Sequence, residues 1–149
     1  MIITYNGKEY FCKTFDDGKV QLRSLIYEDD TFQNNNGIYM KYVDISECEN
    51  LKYTNIFAMY NNESIEVWRM DSDRNQLLLF AASSHGYSKE FIKNVLGGQE
   101  GRDIDAWCDI DVFSSFFMRT RDYVTKEKKE MFLDTEQAIE YIALMRLQK

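Results

Sequence analysis

Four aspartates crowd residues 103–111: Asp103, Asp105, Asp109 and Asp111, with Trp107 and Phe113 at the remaining odd positions. Carboxylates at this density have three uses. They can ligate a hard divalent cation, act as an acid–base pair, or face a basic protein. The backbone decides among these, and here the pattern has a period of two. The even positions are Ile104, Ala106, Cys108, Ile110 and Val112. Successive strand residues point to opposite faces, so residues 102–113 read as a strand with one apolar face and one acidic, aromatic-bearing face. A helix would scatter the aspartates around its circumference.

Side chains two apart on a strand lie about 6.7 Å from one another. At the dielectric of water each close Asp–Asp pair then costs only about 0.6 kcal/mol. Asp103/Asp105 and Asp109/Asp111 can therefore persist on a wet face with no ligand. A flat strand does not converge four carboxylates on one ion, which makes a metal site the weakest of the three uses. Two readings remain. One is a solvated face whose charge blocks edge-to-edge pairing. The other is a docking face for a basic protein partner, formed by Asp103, Asp105, Trp107, Asp109, Asp111 and Phe113, in which the two aromatics are anchors. Trp107 is the residue that separates them.

Little else in the chain offers chemistry. His85 is the one histidine, so a Ser-His or Cys-His pair must use it with Ser83, Ser84 or one of the cysteines; no G-x-S-x-G elbow is present. Cys12, Cys48 and Cys108 are far apart and lack the paired spacings of zinc sites. The loop Asp71-Ser72-Asp73-Arg74-Asn75-Gln76 imitates the start of a calcium loop. Gln76 stands where the glycine belongs, and Ala82 where the bidentate glutamate belongs. Gly97-Gly98-Gln99-Glu100-Gly101 follows an expected helix instead of a strand and reads as a helix stop. No catalytic residue, cofactor or metal is assigned. Still, 25 acidic residues supply many carboxylate pairs. The alternative reading is therefore a small hydrolytic enzyme that gathers several of them, with or without Mg²⁺, and a second alternative is a structural accessory subunit or homodimer.

Bulk properties point the same way. A net charge of −7 and a pI near 4.8 disfavour nucleic acid and anionic membranes as partners and favour a basic protein. An odd number of scattered cysteines fits a reducing cytoplasm better than a disulfide framework. No apolar run reaches the ~18–20 residues of a membrane span, and the N-terminal residues lack the basic and apolar regions of a signal peptide. Either a monomer or a homodimer is compatible with this. A length of 149 residues, 44% of them hydrophobic, fits one domain spanning 1–149 with a real core.

The elements that must position the acidic strand follow from turn chemistry. Asn6-Gly7 and Asp17-Gly18 are hairpin signals. Taken as two-residue loops, they set Ile2 opposite Phe11, Phe15 opposite Val20 and Lys13 opposite Leu22. One face then collects Ile2, Phe11, Phe15, Val20, Leu22 and Ile26. Strands are expected over 38–45, 56–60, 64–70 and 76–82, the last covered on both sides, with a short helical turn somewhere in 46–55. Ser88 caps a helix over 89–96. Residues 116–124, carrying Arg119 and Arg121, read as the antiparallel neighbour of the acidic strand, and 126–130 as a charged connection. Asp134 or Thr135 caps a last helix, Asp134 having Gln137 three residues on as in a capping box, and the apolar face of that helix is Ala138, Ile139, Ile142, Leu144, Met145 and Leu147. The fold class is α+β: an antiparallel meander of seven to nine strands with two helices packed on it, one of them C-terminal.

Overall fold

The computed structural model describes residues 1–84 and 86–145. His85 and Leu147 lie outside the described residues. The strands are β1 (Ile2–Tyr5), β2 (Lys8–Thr14), β3 (Lys19–Ser24), β4 (Gln33–Asn35), β5 (Ile38–Asp44), β6 (Cys48–Tyr60), β7 (Glu63–Asp71), β8 (Gln76–Ala81), β9 (Ile104–Asp109), β10 (Ser115–Asp122) and β11 (Lys128–Leu133). The helices are α1 (Lys89–Asn94) and α2 (Thr135–Met145). The strands pair antiparallel, mostly as a meander, so the fold class is α+β as the sequence implies. Two strands exceed the expected number. β4 is three residues inside a polar connection, and β11 begins within the charged run read as a loop. No described helix is long and apolar enough to cross a membrane.

The described residues form two compact units. One comprises Met1–Thr54 and Thr120–Lys129, with strand order β4-β5-β3-β2-β1 and the first half of β6. The Asn6-Gly7 turn forms as expected. Asn6 and Gly7 have φ of 49° and 78°, as a type I′ turn requires, and Ile2 lies opposite Phe11.

The second hairpin differs. Phe15 N–H donates to Lys19 C=O at 2.9 Å, which makes the loop Asp16-Asp17-Gly18. Of these three residues Gly18 alone takes positive φ, at 83°. A three-residue loop with glycine in the left-handed position replaces the two-residue one. The pairing accordingly slips by one residue: Val20 faces Thr14 and Leu22 faces Cys12. A one-residue slip moves a strand's whole apolar set to the other face. Val20 and Leu22 therefore join Ile3, Cys12, Phe32 and Val43 in a buried cluster, while Phe11 lies opposite Arg23. Phe15 and Ile26, expected in the same core, are 37% and 62% exposed.

The other unit comprises Asn55–Arg119 and, of the described residues after it, 130–145. Here the strand order is β6-β7-β8-β9, and α2 lies against β7. Its inner face is a ladder of buried residues in register: Ile56, Val67, Leu79 and Ala106 across four strands. Both helix starts follow their capping chemistry. Ser88 Oγ accepts from Phe91 N–H at 3.1 Å. Asp134 and Gln137 exchange reciprocal bonds of 2.8 and 3.0 Å, which satisfies two orphan donors. Phe91, Ala138 and Ile142 are buried.

Residues 116–124 do not neighbour the acidic strand. β10 pairs with β6 and β11, and β9 pairs with β8. The cause is a 3₁₀ turn at Ile110–Val112, which ends β9 and diverts the chain before β10 begins. Arg119 accordingly meets Glu130 at 3.2 Å and the ring of Phe57, and Arg121 lies over Tyr53.

Candidate functional site

β9 is the terminal strand of its unit's ladder, hydrogen-bonded to β8. Its burial alternates strictly: Ile104, Ala106 and Cys108 are buried, and Asp105, Trp107 and Asp109 are exposed. Trp107 stands 48% exposed between the two carboxylates. Asp103, just before the strand, and Asp111, in the 3₁₀ turn after it, are also exposed. Asp109 accepts from Gln76 Nε2 at 3.1 Å, which fixes one carboxylate across the β8–β9 ladder.

Phe113 departs from expectation. It is 7% exposed, with its ring 6.2 Å from that of Phe116. The period of two ends at Asp109, and the turn over 110–112 rotates the chain so that Phe113 enters the core. The exposed aromatic of the acidic segment is Trp107 alone.

The outer face beside Trp107 holds residues that the period-two reading passes over. Trp107 lies opposite Leu78, which lies opposite Arg69. Asp105 lies opposite Phe80, which lies opposite Glu66. The β7–β8 register shifts between Val67 and Arg69: Val67 pairs with inward Leu79, and Met70 with inward Leu77. Two consecutive residues, Trp68 and Arg69, thus share the outer face, as a β-bulge allows. Trp68 stacks on Phe80 with centroids 4.3 Å apart. The result is an open groove of about 520 Å³ lined by Trp68, Arg69, Leu78 and Asp105. Leu78 is its apolar floor, 8% exposed. Arg69 and Asp105 stand on strands two apart, about 10 Å across the sheet at ordinary strand spacing. Among the described residues neither side chain forms a hydrogen bond or ion pair. The sequence did carry a trace of the bulge: buried Val67 and half-buried Met70 on the inner face are three apart, where strict alternation would place them two apart.

The remaining candidates have structural occupations or lie elsewhere. Asp71 Oδ1 accepts from the backbone N–H groups of Asp73 and Arg74 at 3.1 and 3.2 Å, closing the β7–β8 turn that imitates a calcium loop. Ser84 is buried, and its hydroxyl accepts from Gly101 N–H. Cys12 and Cys108 are buried free thiols pushed up to about 11 by desolvation, and burial raises Cys48 as well. Thiolates, the nucleophilic form, are therefore scarce at neutral pH. Among the described residues no three or more His, Cys, Asp and Glu side chains gather where they could hold a metal ion. Asp105 and Asp109 lie on β9, with Asp103 before it and Asp111 in the turn after it, and the four do not gather into such a group. No family model, no curated protein and no solved structure matches this chain.

Proposed function

We propose that this chain is a protein-binding module that neutralises or sequesters a basic protein partner, in the manner of an immunity protein or a protein inhibitor. The observation that carries the reading is Trp107, half-exposed on an edge strand between Asp105 and Asp109. A large aromatic left in water among charges is the composition of an interface hot spot, with an apolar anchor and a polar rim. The net charge of −7 adds a field that draws a cationic partner in and makes association salt-sensitive. Three free cysteines suit action in the cytoplasm, where thiols stay reduced.

The test is capture from the native host at low and high salt, using the wild-type chain and the Asp105→Lys/Asp109→Lys double variant, followed by association kinetics with the purified partner. A basic protein held by the wild type, released by salt and associating at least tenfold more slowly with the double variant supports the reading. A genuine partner whose association rate is the same for both chains overturns it.

A further inference from the structure

The groove beside Trp107 carries two opposite charges, unpaired among the described residues, on either side of an apolar floor. We infer that it accepts an extended, mixed-charge segment of the protein partner. A basic side chain meets Asp105, a carboxylate meets Arg69, and an apolar side chain between them lies on Leu78 against Trp68. This deepens the docking proposal and rests on it, since the groove is continuous with the acidic edge through Asp105 and through the Trp107–Leu78 pairing.

Three observations lead to this occupant. The bulge at Trp68 turns Arg69 onto the outer face, where strict alternation would have sent it inward. Bulges are a recurrent means of re-aiming a side chain beside a functional site. The volume of about 520 Å³ is within the ~300–1,000 Å³ typical of ligand sites, yet the lining is half charged, which suits a peptide better than an apolar small molecule. Arg69 also stands against a purely cationic ligand as Asp105 stands against a purely acidic one. Two fixed charges of opposite sign therefore select both composition and register, because the wrong segment leaves like charges juxtaposed.

Both of the chain's tryptophans, Trp68 and Trp107, flank Leu78, so intrinsic fluorescence reports on the site directly. Three capped, tryptophan-free synthetic peptides of one length supply the probes. Their apolar residues alternate with lysine only, with glutamate only, or with lysine toward one end and glutamate toward the other. Each is titrated against the wild type, Arg69→Glu and Asp105→Lys, after circular dichroism confirms that the variants fold. The mixed peptide is expected to bind the wild type about tenfold more tightly than either single-sign peptide, and Arg69→Glu to shift the preference to the lysine peptide. If the lysine peptide binds the wild type as tightly as the mixed one and Arg69→Glu changes nothing, the inference fails while the acidic docking face stands. If the glutamate peptide binds best and Asp105→Lys leaves every affinity unchanged, the inference fails. If no peptide binds, the inference alone is overturned, because the docking face is judged on its own captured partner.

Discussion

Trp68 lies on Phe80 with ring centroids 4.3 Å apart and planes inclined by 16°, so the wall of the groove is held by a ring from the adjacent strand. Aromatic pairs of this geometry contribute roughly 0.5–1.5 kcal/mol beyond the area they bury. Phe80→Leu keeps an apolar side chain at the site but removes the stack. It should lower stability by about 1–2 kcal/mol and move tryptophan emission to the red as Trp68 gains water. Urea unfolding and an emission scan check both. Unchanged emission would mean that Phe80 does not hold the indole.

Trp107 and Phe113 share one parity in the sequence and opposite environments in the fold, at 48% and 7% exposure. Trp107→Ala should cost about 1 kcal/mol of stability or less, as a surface truncation does, yet abolish capture of the partner. Phe113→Ala removes a core ring and should cost about 3–5 kcal/mol without touching the acidic edge. Urea midpoints of the two variants separate these cases. Equal losses would contradict the placement of one ring outside and the other inside.

Those two residues also mark where the sequence stops being legible. Local chemistry reads through: Asn6-Gly7 closes its hairpin in the expected register, Ser88 and Asp134 cap their helices, and β9 alternates through Asp109. What fails are three steps in which one residue more or less decides the outcome. The Asp17-Gly18 turn takes three residues where two were expected, which moves Val20 and Leu22 from the side of Phe11 to the side of Cys12. The 3₁₀ turn after Asp109 converts Phe113 from anchor to core. The bulge at Trp68 places Arg69 in the groove. Turn length and bulges depend on packing against distant strands, and period-two patterning carries no record of them. Asp103, Asp105, Trp107, Asp109 and Asp111 were therefore visible as an exposed set, whereas Trp68, Arg69 and Leu78 were not.

Thr54 is 8% exposed, and its hydroxyl oxygen has no hydrogen-bond partner among the described residues. A buried hydroxyl left unsatisfied costs roughly 1–3 kcal/mol by the measure of protein mutations. Thr54→Val replaces it with a methyl of similar volume on a β-branched frame suited to β6. The variant should be more stable by up to about 1 kcal/mol, read as a higher urea midpoint with an unchanged slope. A loss of stability would show that the hydroxyl is satisfied, for instance by an ordered water.

Desolvation pushes the Cys12 and Cys108 thiols up to about 11, and both are buried. Because the thiolate is the reactive form, neither should react with a disulfide reagent in the folded protein near pH 8. Cys48, partly exposed, should be the first to react. All three should react at once in denaturant. Rapid stoichiometric labelling of three thiols in the native protein would mean that the packing around Cys12 and Cys108 opens readily.

Glu28 joins Lys8 at 2.6 Å and accepts from the Ser24 hydroxyl at 2.8 Å. The bond from Lys8 holds its carboxyl below the ordinary value of 4.5, and the Ser24 hydroxyl adds to this. The sign of the pH effect follows from linkage. A carboxyl that is more acidic in the folded state contributes stability that is complete above its unfolded value and is lost as pH falls through its folded value. Lys8 is raised above 10.5 by the same pair, so its share is complete below that value and is lost only as pH rises through the raised one. Glu28→Gln should therefore lower stability at about pH 7, by about 1 kcal/mol or less for a pair whose lysine is half exposed. The gap between wild type and variant should close as pH drops below about 4.5 toward 3. Urea midpoints at the two pH values test this directly. A gap that persists undiminished at about pH 3 would mean that the contribution of Glu28 is packing and not charge.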